Sequence, residues 1–110
     1  MAPTGIGRIM RLPGSVRVGH RAVPVTLRRF DDPAEYGQYL LHRDRIEINQ
    51  SLGPSLRASV LVHEILHAMF ATAMIPVDDA TEETVIRALT PQILALIRDN
   101  PRLIAALAAR

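Results

Sequence analysis

The chain contains no cysteine, no lysine and no tryptophan, and only two tyrosines and two phenylalanines among its 110 residues. Without cysteine there is no disulfide, no thiolate metal ligand and no cysteine nucleophile. Because aromatic rings are scarce, the core has to be built from aliphatic side chains, and 48% of the residues are hydrophobic. This length and composition predict one globular domain, and the missing thiols favour a reducing compartment such as the cytoplasm.

Long apolar runs are also missing. Each run is broken by histidine or a charged residue well short of the ~18 residues that a membrane-spanning helix needs, so we expect no membrane partner. Positive charge is uneven, because residues 1–30 hold six arginines and no acid: Arg8, Arg11, Arg17, Arg21, Arg28 and Arg29. Such a segment can bind nucleic acid, but no aromatic side chains are interleaved there for base stacking. We therefore do not expect a nucleic-acid partner and interpret the arginines as a solvated face.

The first half of the chain has patterns typical of β-strands. We predict strands over residues 15–20 and 22–27, and a β-hairpin with arms over residues 36–41 and 45–49. In the second arm, Ile46 and Ile48 share one side of the sheet. Residues 1–14 contain several glycines and prolines, and we expect them to be loose.

The second half has helix signals. Gly53 and Pro54 open a helix that we expect to reach about Met74, before Pro76. We predict three shorter helices after it: one that begins near residues 78–81, one from Gln92 to about Arg98 after a break at Thr90-Pro91, and one over residues 102–110. The expected fold class is α+β, with a small twisted sheet packed on a central helix.

The central helix carries the sequence His63-Glu64-Ile65-Leu66-His67, which has the form H-E-x-x-H. On a helix, positions i and i+4 lie on one face, so both imidazoles can bind one zinc ion. A bound zinc lowers the pKa of its water toward ~7, and Glu64 is placed to accept the water proton. The pattern predicts zinc-dependent hydrolysis.

A catalytic zinc usually has three protein ligands, and no cysteine or later histidine can supply the third. The carboxylates of Glu82 and Glu83, at the start of the next predicted helix, are the natural candidates. The apolar residues of this helix lie two, three and six positions after Glu83, and three, four and seven positions after Glu82. Either glutamate can therefore face the histidines. We prefer Glu83, because Glu82 also fits a helix-capping pair with Asp79.

With these residues the chain resembles the gluzincin metallopeptidases, in which a glutamate on a later helix is the third zinc ligand. More closely, it is similar to minimal gluzincins and to short phage-encoded metallopeptidase-like proteins. These share the pattern E-E…V…A-L followed by L-R-D-N-P, which here is Glu82–Leu89 and Ile97–Pro101. The resemblance covers roughly residues 35–101.

The resemblance implies that His63, His67 and Glu83 (or Glu82) bind Zn²⁺ and that Glu64 is the general base. It also implies that an edge strand, which we expect to be residues 45–49, pairs with an extended peptide or protein substrate. The implied function is a zinc metalloendopeptidase in the cytoplasm of a phage-infected or lysogenic host. The alternative is a non-catalytic phage or prophage protein with a structural or vestigial zinc site.

Three hairpin residues, Tyr36, Tyr39 and His42, are candidates for a second donor that stabilises the transition state. Each also has an ordinary interpretation, namely packing for the tyrosines and an exposed turn for His42. The C-terminal segment, residues 101–110, could lie across the cleft and hold the enzyme latent.

Overall fold

The structure is a computed structural model that describes residues 11–110, and it has the α+β architecture that the sequence predicts. Within these residues, a four-stranded mixed sheet packs on helices. The strands are β1 (Ser15–Val18), β2 (Arg21–Arg28), β3 (Gly37–Leu40) and β4 (Arg45–Asn49). The helices are α1 (Pro54–Ala73), α2 (Asp79–Asp99) and α3 (Pro101–Ala108).

The strand order is β1-β2-β4-β3, which confirms the hairpin but corrects the prediction for the edge strand. Residues 45–49, which form β4, are not at an edge, because β4 pairs with β2 in parallel and with β3 in antiparallel register. β3 is the edge strand on this side of the sheet. The error has a physical cause, since the parallel β2–β4 pairing joins segments far apart in sequence and leaves no local signal.

The core lies between the sheet and α1, which contacts β3, β4 and β1. Ile46 and Ile48 are fully buried and point into it, as predicted, and Val60 and Ala68 meet them from α1. The other residues of this cluster are Val18 and Val23. The core is therefore aliphatic, as the shortage of aromatic residues requires.

β3 approaches α1 unusually closely at Gly37. A Cβ atom there would lie 2.6 Å from Cγ1 of Val60 and 2.9 Å from the carbonyl oxygen of Glu47. Real Cβ atoms do not make contacts this short, so only glycine allows β3 to lie against the part of α1 that carries the H-E-x-x-H sequence.

α1 begins and ends where the sequence predicts. Gly53 is the N-cap and Pro54 occupies the first turn, where a missing N–H costs little. At the other end Met74 adopts a left-handed conformation with φ 55°, and the Ile75 N–H donates to the Phe70 carbonyl. This closure satisfies an otherwise free carbonyl of the last turn.

The predicted break at Thr90-Pro91 is wrong, because α2 runs without interruption from Asp79 to Asp99. Proline has a φ value that suits a helix, and its costs are the loss of one hydrogen bond to the residue four positions earlier and a clash of its ring with that residue's carbonyl. Here that residue is Arg87, and both Arg87 and Pro91 are exposed, so water can satisfy the carbonyl. The Thr90 hydroxyl also donates to the Ile86 carbonyl at 2.7 Å within this turn.

The two ends of the described chain differ in their packing. The prediction of a loose segment covers residues 1–14, of which positions 1–10 lie outside the described residues. In the remainder, Leu12 packs against the core and the Gly14 carbonyl accepts a hydrogen bond from the Val25 N–H. At the C-terminus, α3 packs on α2 and carries no buried residue.

Candidate metal centre

Three side chains from two helices meet at one point. His63 and His67 are one turn apart on α1, and Glu83 stands in the first turns of α2. One oxygen of Glu83, Oε1, lies 3.1 Å from His63 Nε2 and 3.0 Å from His67 Nε2. A ligand atom from each of the three residues lies within 4.8 Å of the others. We call this group the His–His–Glu cluster.

α2 is held in this position by its own packing. Ile86, fully buried, and Thr90, nearly so, lie against the rest of the protein, and Glu82 and Glu83 precede Ile86 by about one turn. Positions three and four apart share a helix face, so the burial of Ile86 directs both glutamates toward α1. The Asp78 carboxylate caps the helix by accepting from the Thr81 N–H at 2.7 Å. The cap is therefore Asp78, and Glu82 is not used for capping.

Glu82 instead contacts the outer nitrogen of a histidine. Its Oε2 atom lies 2.6 Å from His67 Nδ1, while Nε2 of the same ring faces Glu83. A histidine that binds a metal through one nitrogen commonly donates its other N–H to a carboxylate, which fixes the ring and its tautomer. Glu83 thus lies at the ring nitrogen that can bind a metal, and Glu82 lies at the nitrogen that can donate its proton to a carboxylate.

The charges around His67 favour its protonated form. Burial lowers the pKa of His67, but hydrogen bonds to Glu82 and Glu83 and the charges of Glu64 and Glu82 outweigh it, so the pKa lies above its ordinary value. Both ring nitrogens face carboxylates, and only the imidazolium form can donate from both. A metal ion at Nε2 would replace one of these protons with a larger positive charge.

The pKa of Glu83 is lowered, whereas that of His67 is raised. Burial raises the pKa of Glu83, but the charge of His63 and the hydrogen bonds from Arg87, His67 and His63 lower it below the ordinary value. Glu83 is therefore ionised near neutral pH, which is the state in which a carboxylate binds a metal.

Glu64 differs from the other acids of the site, because it is 6% exposed and, among residues 11–110, no arginine bonds to it. Burial raises its pKa to about 7, with the charge of Glu83 acting in the same direction. The charge of His67 and a hydrogen bond from the Tyr39 backbone lower the pKa, but they do not compensate. A carboxylate with a pKa near 7 can both accept and return a proton at neutral pH.

The His–His–Glu cluster lines an open cleft of about 580 Å³. The lining combines Glu64 and the cluster with apolar residues. The apolar residues are Leu41, Phe70, Ala71, Met74 and Ile75. A second cavity, of about 440 Å³, is lined by residues of β3, α1 and α2 and shares His63, Glu64 and Glu83 with the first. Two cavities therefore adjoin the cluster.

The three predicted donor candidates occupy different places. Tyr36 lines the second cavity beside His63. Tyr39 lines the main cleft, but its hydroxyl donates to the Asp44 carboxylate at 3.0 Å. His42 is exposed in the β3–β4 turn and lines a cavity on the outer face of the sheet, without contact to the cluster. Tyr36 is thus the candidate that the fold places best.

Two positions that shape the candidate site were missed by sequence reasoning. Arg87 donates from Nε to Glu83 Oε2 at 2.8 Å, and its spacing of four residues from Glu83 on one helix was a usable signal. Gly37 lets the edge strand reach Glu64, and an isolated glycine in a strand is a recognised sign of close backbone approach.

The C-terminal segment does not cover the site in the described structure. Of residues 11–110, none beyond Arg87 lines either of the two cavities that adjoin the cluster.

Two of the N-terminal arginines form ion pairs within the fold, Arg21 with Asp44 and Arg28 with Glu47. Within residues 11–110, no helix combines the length and apolar character needed to cross a bilayer.

Comparisons with protein-family models, with curated proteins and with solved structures find no match to this chain. The function therefore has to be inferred from the chemistry of the residues at the site.

Proposed function

We propose that the protein is a zinc-dependent metalloendopeptidase of the gluzincin type that acts on extended peptide or protein segments in the cytoplasm. The single observation that supports this most strongly is the convergence of His63, His67 and Glu83 beside the buried, uncompensated Glu64. The convergence brings together residues from two helices whose spacing in sequence does not require them to meet.

The donor set fits zinc. Two imidazole nitrogens and one carboxylate oxygen are the protein ligands found in catalytic zinc sites of the His₂Glu kind. The cluster also faces an open cleft, whereas structural zinc sites are closed by four protein ligands. A zinc ion held there would supply a Lewis acid that acidifies a water molecule and polarises the carbonyl group of the substrate.

Glu64 supplies the proton transfers in this proposal. It lines the same cleft as the cluster, and its raised pKa places it near the pH at which a general base is most effective. In its ionised form it takes a proton from the attacking water, and in its protonated form it returns that proton to the leaving amine.

The free edge of β3 offers a backbone template for the substrate. The Tyr36 carbonyl accepts from the Asn49 N–H at 2.8 Å, so by strand alternation Gln38 also faces β4, and the backbone groups of Gly37 and Tyr39 face away from it. An extended peptide can add to such an edge through main-chain hydrogen bonds. The substrate backbone would then pass directly in front of the His–His–Glu cluster.

The test is degradation of an unfolded protein such as casein by the purified chain, with zinc supplied and then removed by a chelator. We expect cleavage with zinc, loss of cleavage on chelation, and recovery when zinc is returned. A structural zinc site predicts a different result, namely a marked loss of thermal stability on chelation with no proteolysis in any state. No cleavage in the zinc-loaded state would overturn the enzymatic proposal.

A further inference from the structure

The two oxygens of the Glu83 carboxylate have different partners. Oε1 faces both histidines, at 3.1 Å from His63 Nε2 and 3.0 Å from His67 Nε2. Oε2 instead accepts a hydrogen bond from Arg87 Nε at 2.8 Å. A carboxylate can bind a metal ion through one oxygen or through both. In this arrangement the guanidinium already occupies the second oxygen.

The Arg87 contact is fixed by the helix that carries it. Glu83 and Arg87 are four residues apart on α2, which is the spacing that places two side chains one above the other. Ile86, between them in sequence, is fully buried and holds this part of α2 against the rest of the protein. The helix therefore presents the guanidinium directly to the carboxylate, and Arg87 Nε bonds to it at 2.8 Å.

A contribution to the stability of the fold does not explain the ion pair between Arg87 and Glu83. The Arg87 side chain is 75% exposed, and exposed ion pairs within a helix stabilise a protein very little. Yet it borders the cavity beside His63 and bonds to a residue of the cluster. Exposure, position and bonding together indicate a role in the geometry of the site.

We propose that Arg87 is a positioning residue that restricts Glu83 to one-oxygen metal binding. This inference rests on the proposed zinc site. By holding Oε2, Arg87 leaves Oε1 as the Glu83 oxygen that faces both histidine nitrogens. Binding through one oxygen keeps the number of protein donors at three, which leaves room on the side that faces the cleft. Without Arg87, the carboxylate can rotate and use both oxygens.

The experiment measures metal binding and not turnover. Zinc affinity is determined by competition with a chromophoric chelator, and the visible absorption of the Co²⁺-loaded protein reports the coordination number. The variants are Arg87→Ala, Arg87→Lys and Arg87→Gln, with Arg98→Ala as the matched control, because Arg98 is exposed on the same helix. The melting curve of each metal-free variant checks that it is folded.

We expect Arg87→Ala to weaken zinc binding by about 10-fold, in the lower part of the range found for partners of metal ligands. Its Co²⁺ absorption should be weaker than in the wild type, because a higher coordination number lowers the intensity of these bands. Arg87→Lys should restore part of the affinity through its charge, Arg87→Gln should restore less, and Arg98→Ala should match the wild type.

Two results would overturn the inference, and they can be told apart. If wild type binds zinc and Co²⁺ but every folded Arg87 variant keeps the same spectrum and an affinity within about twofold, Arg87 does not position Glu83 and the zinc site stands. If the wild type binds neither metal, the proposed function fails and this inference fails with it.

Discussion

Glu47 and Glu64 are hidden from water to almost the same extent, at 5% and 6% exposed, yet the pKa values of their carboxyl groups move in opposite directions. Glu47 lies on the outer face of the sheet. Burial raises its pKa, but hydrogen bonds from Arg28 at 2.7 Å and from Gln38 at 2.8 Å, with the charges of Arg28 and Arg45, lower it below the ordinary value. Glu47 is a compensated, structural carboxylate.

Glu64 lies on the opposite side of β3, between the sheet and the helices. In the part of the chain that the structure describes, no cationic side chain bonds to it, and burial raises its pKa to about 7. Burial alone therefore does not determine the charge of a carboxylate. A buried carboxylate without a cation is costly to ionise, and such a cost is typical of residues that are kept for chemistry.

The largest predicted effect is on activity, and it distinguishes Glu64 from Glu47. Replacing Glu64 by glutamine keeps the size of the side chain but removes the base, and the turnover of casein should fall by roughly 10²- to 10⁴-fold while zinc stays bound. Glu47→Gln is the matched control, and its turnover should stay near that of the wild type. Equal losses in the two variants would show that burial, and not base catalysis, explains the effect.

The second prediction concerns the pH dependence of the metal-free protein. The pKa of Glu64 is about 7 in the folded state and about 4.3 in the unfolded state, so the folded protein binds an extra proton between these values. The free energy of unfolding therefore falls as the pH rises through this window, and the raised pKa of His67 acts in the same direction. Glu64→Gln should reduce this fall by roughly 1–3 kcal/mol between about pH 5 and about pH 8.

Urea unfolding of the chelated protein at both pH values measures this difference. Glu47→Gln again provides the control. Because the pKa of Glu47 is lowered, its contribution to stability is present above the unfolded value and is lost only at more acidic pH. A stability slope that is the same in wild type and in Glu64→Gln would mean that Glu64 is ionised in the folded protein at neutral pH.

A third prediction concerns Gly37, which lies between the two glutamates. A Cβ atom there would meet the Glu47 carbonyl at 2.9 Å and Cγ of Glu64 at 3.7 Å, besides Val60. Gly37→Ala should push β3 away from α1, lower the free energy of unfolding by about 1–3 kcal/mol and admit water to Glu64. The pKa of Glu64, measured by NMR titration, should then fall, while that of Glu47 should change little. An unchanged Glu64 pKa would contradict the close contact described here.

The smallest predicted effect is on the outer face. Arg28→Ala removes the ion pair with Glu47 and the contact of the guanidinium with the Phe30 ring, which lies 4.3 Å away. The pair is only partly buried, so the loss of unfolding free energy should be about 1 kcal/mol, and zinc binding should not change. Arg29→Ala, at a neighbouring exposed position, is the control for the loss of positive charge. A change in zinc affinity in Arg28→Ala would mean that the two faces of the sheet are coupled.

Much of the fold could be predicted from local patterns. The hairpin, the helix that carries His63 and His67, and the glutamates at the start of α2 each leave a signal of spacing or capping in the sequence. The position of β4 inside the sheet could not be predicted, because it depends on pairing with the distant β2. The continuity of α2 through Pro91 depends on solvent exposure of one helix face, which sequence alone does not specify.

At the site, the sequence favours Glu83 over Glu82 as the third ligand but does not exclude Glu82, because both fit the helical spacing. The structure places Glu83 at both inner histidine nitrogens and Glu82 at the outer nitrogen of His67. This division depends on how far α2 is rotated when Ile86 becomes buried, and a rotation of that size cannot be read from periodicity. The pairing of Arg28 with the buried Glu47 could not be predicted either, since the two residues meet only across neighbouring strands.

The most direct test of the account is the zinc content of the purified chain, measured by elemental analysis after zinc is supplied. We predict about one zinc per wild-type chain, loss of this zinc in His67→Ala and in Glu83→Ala, and retention with weaker binding in Glu82→Ala. Loss in Glu82→Ala with retention in Glu83→Ala would reverse the roles of the two glutamates. A wild-type chain that takes up no zinc would contradict the proposed metal centre and the peptidase that depends on it.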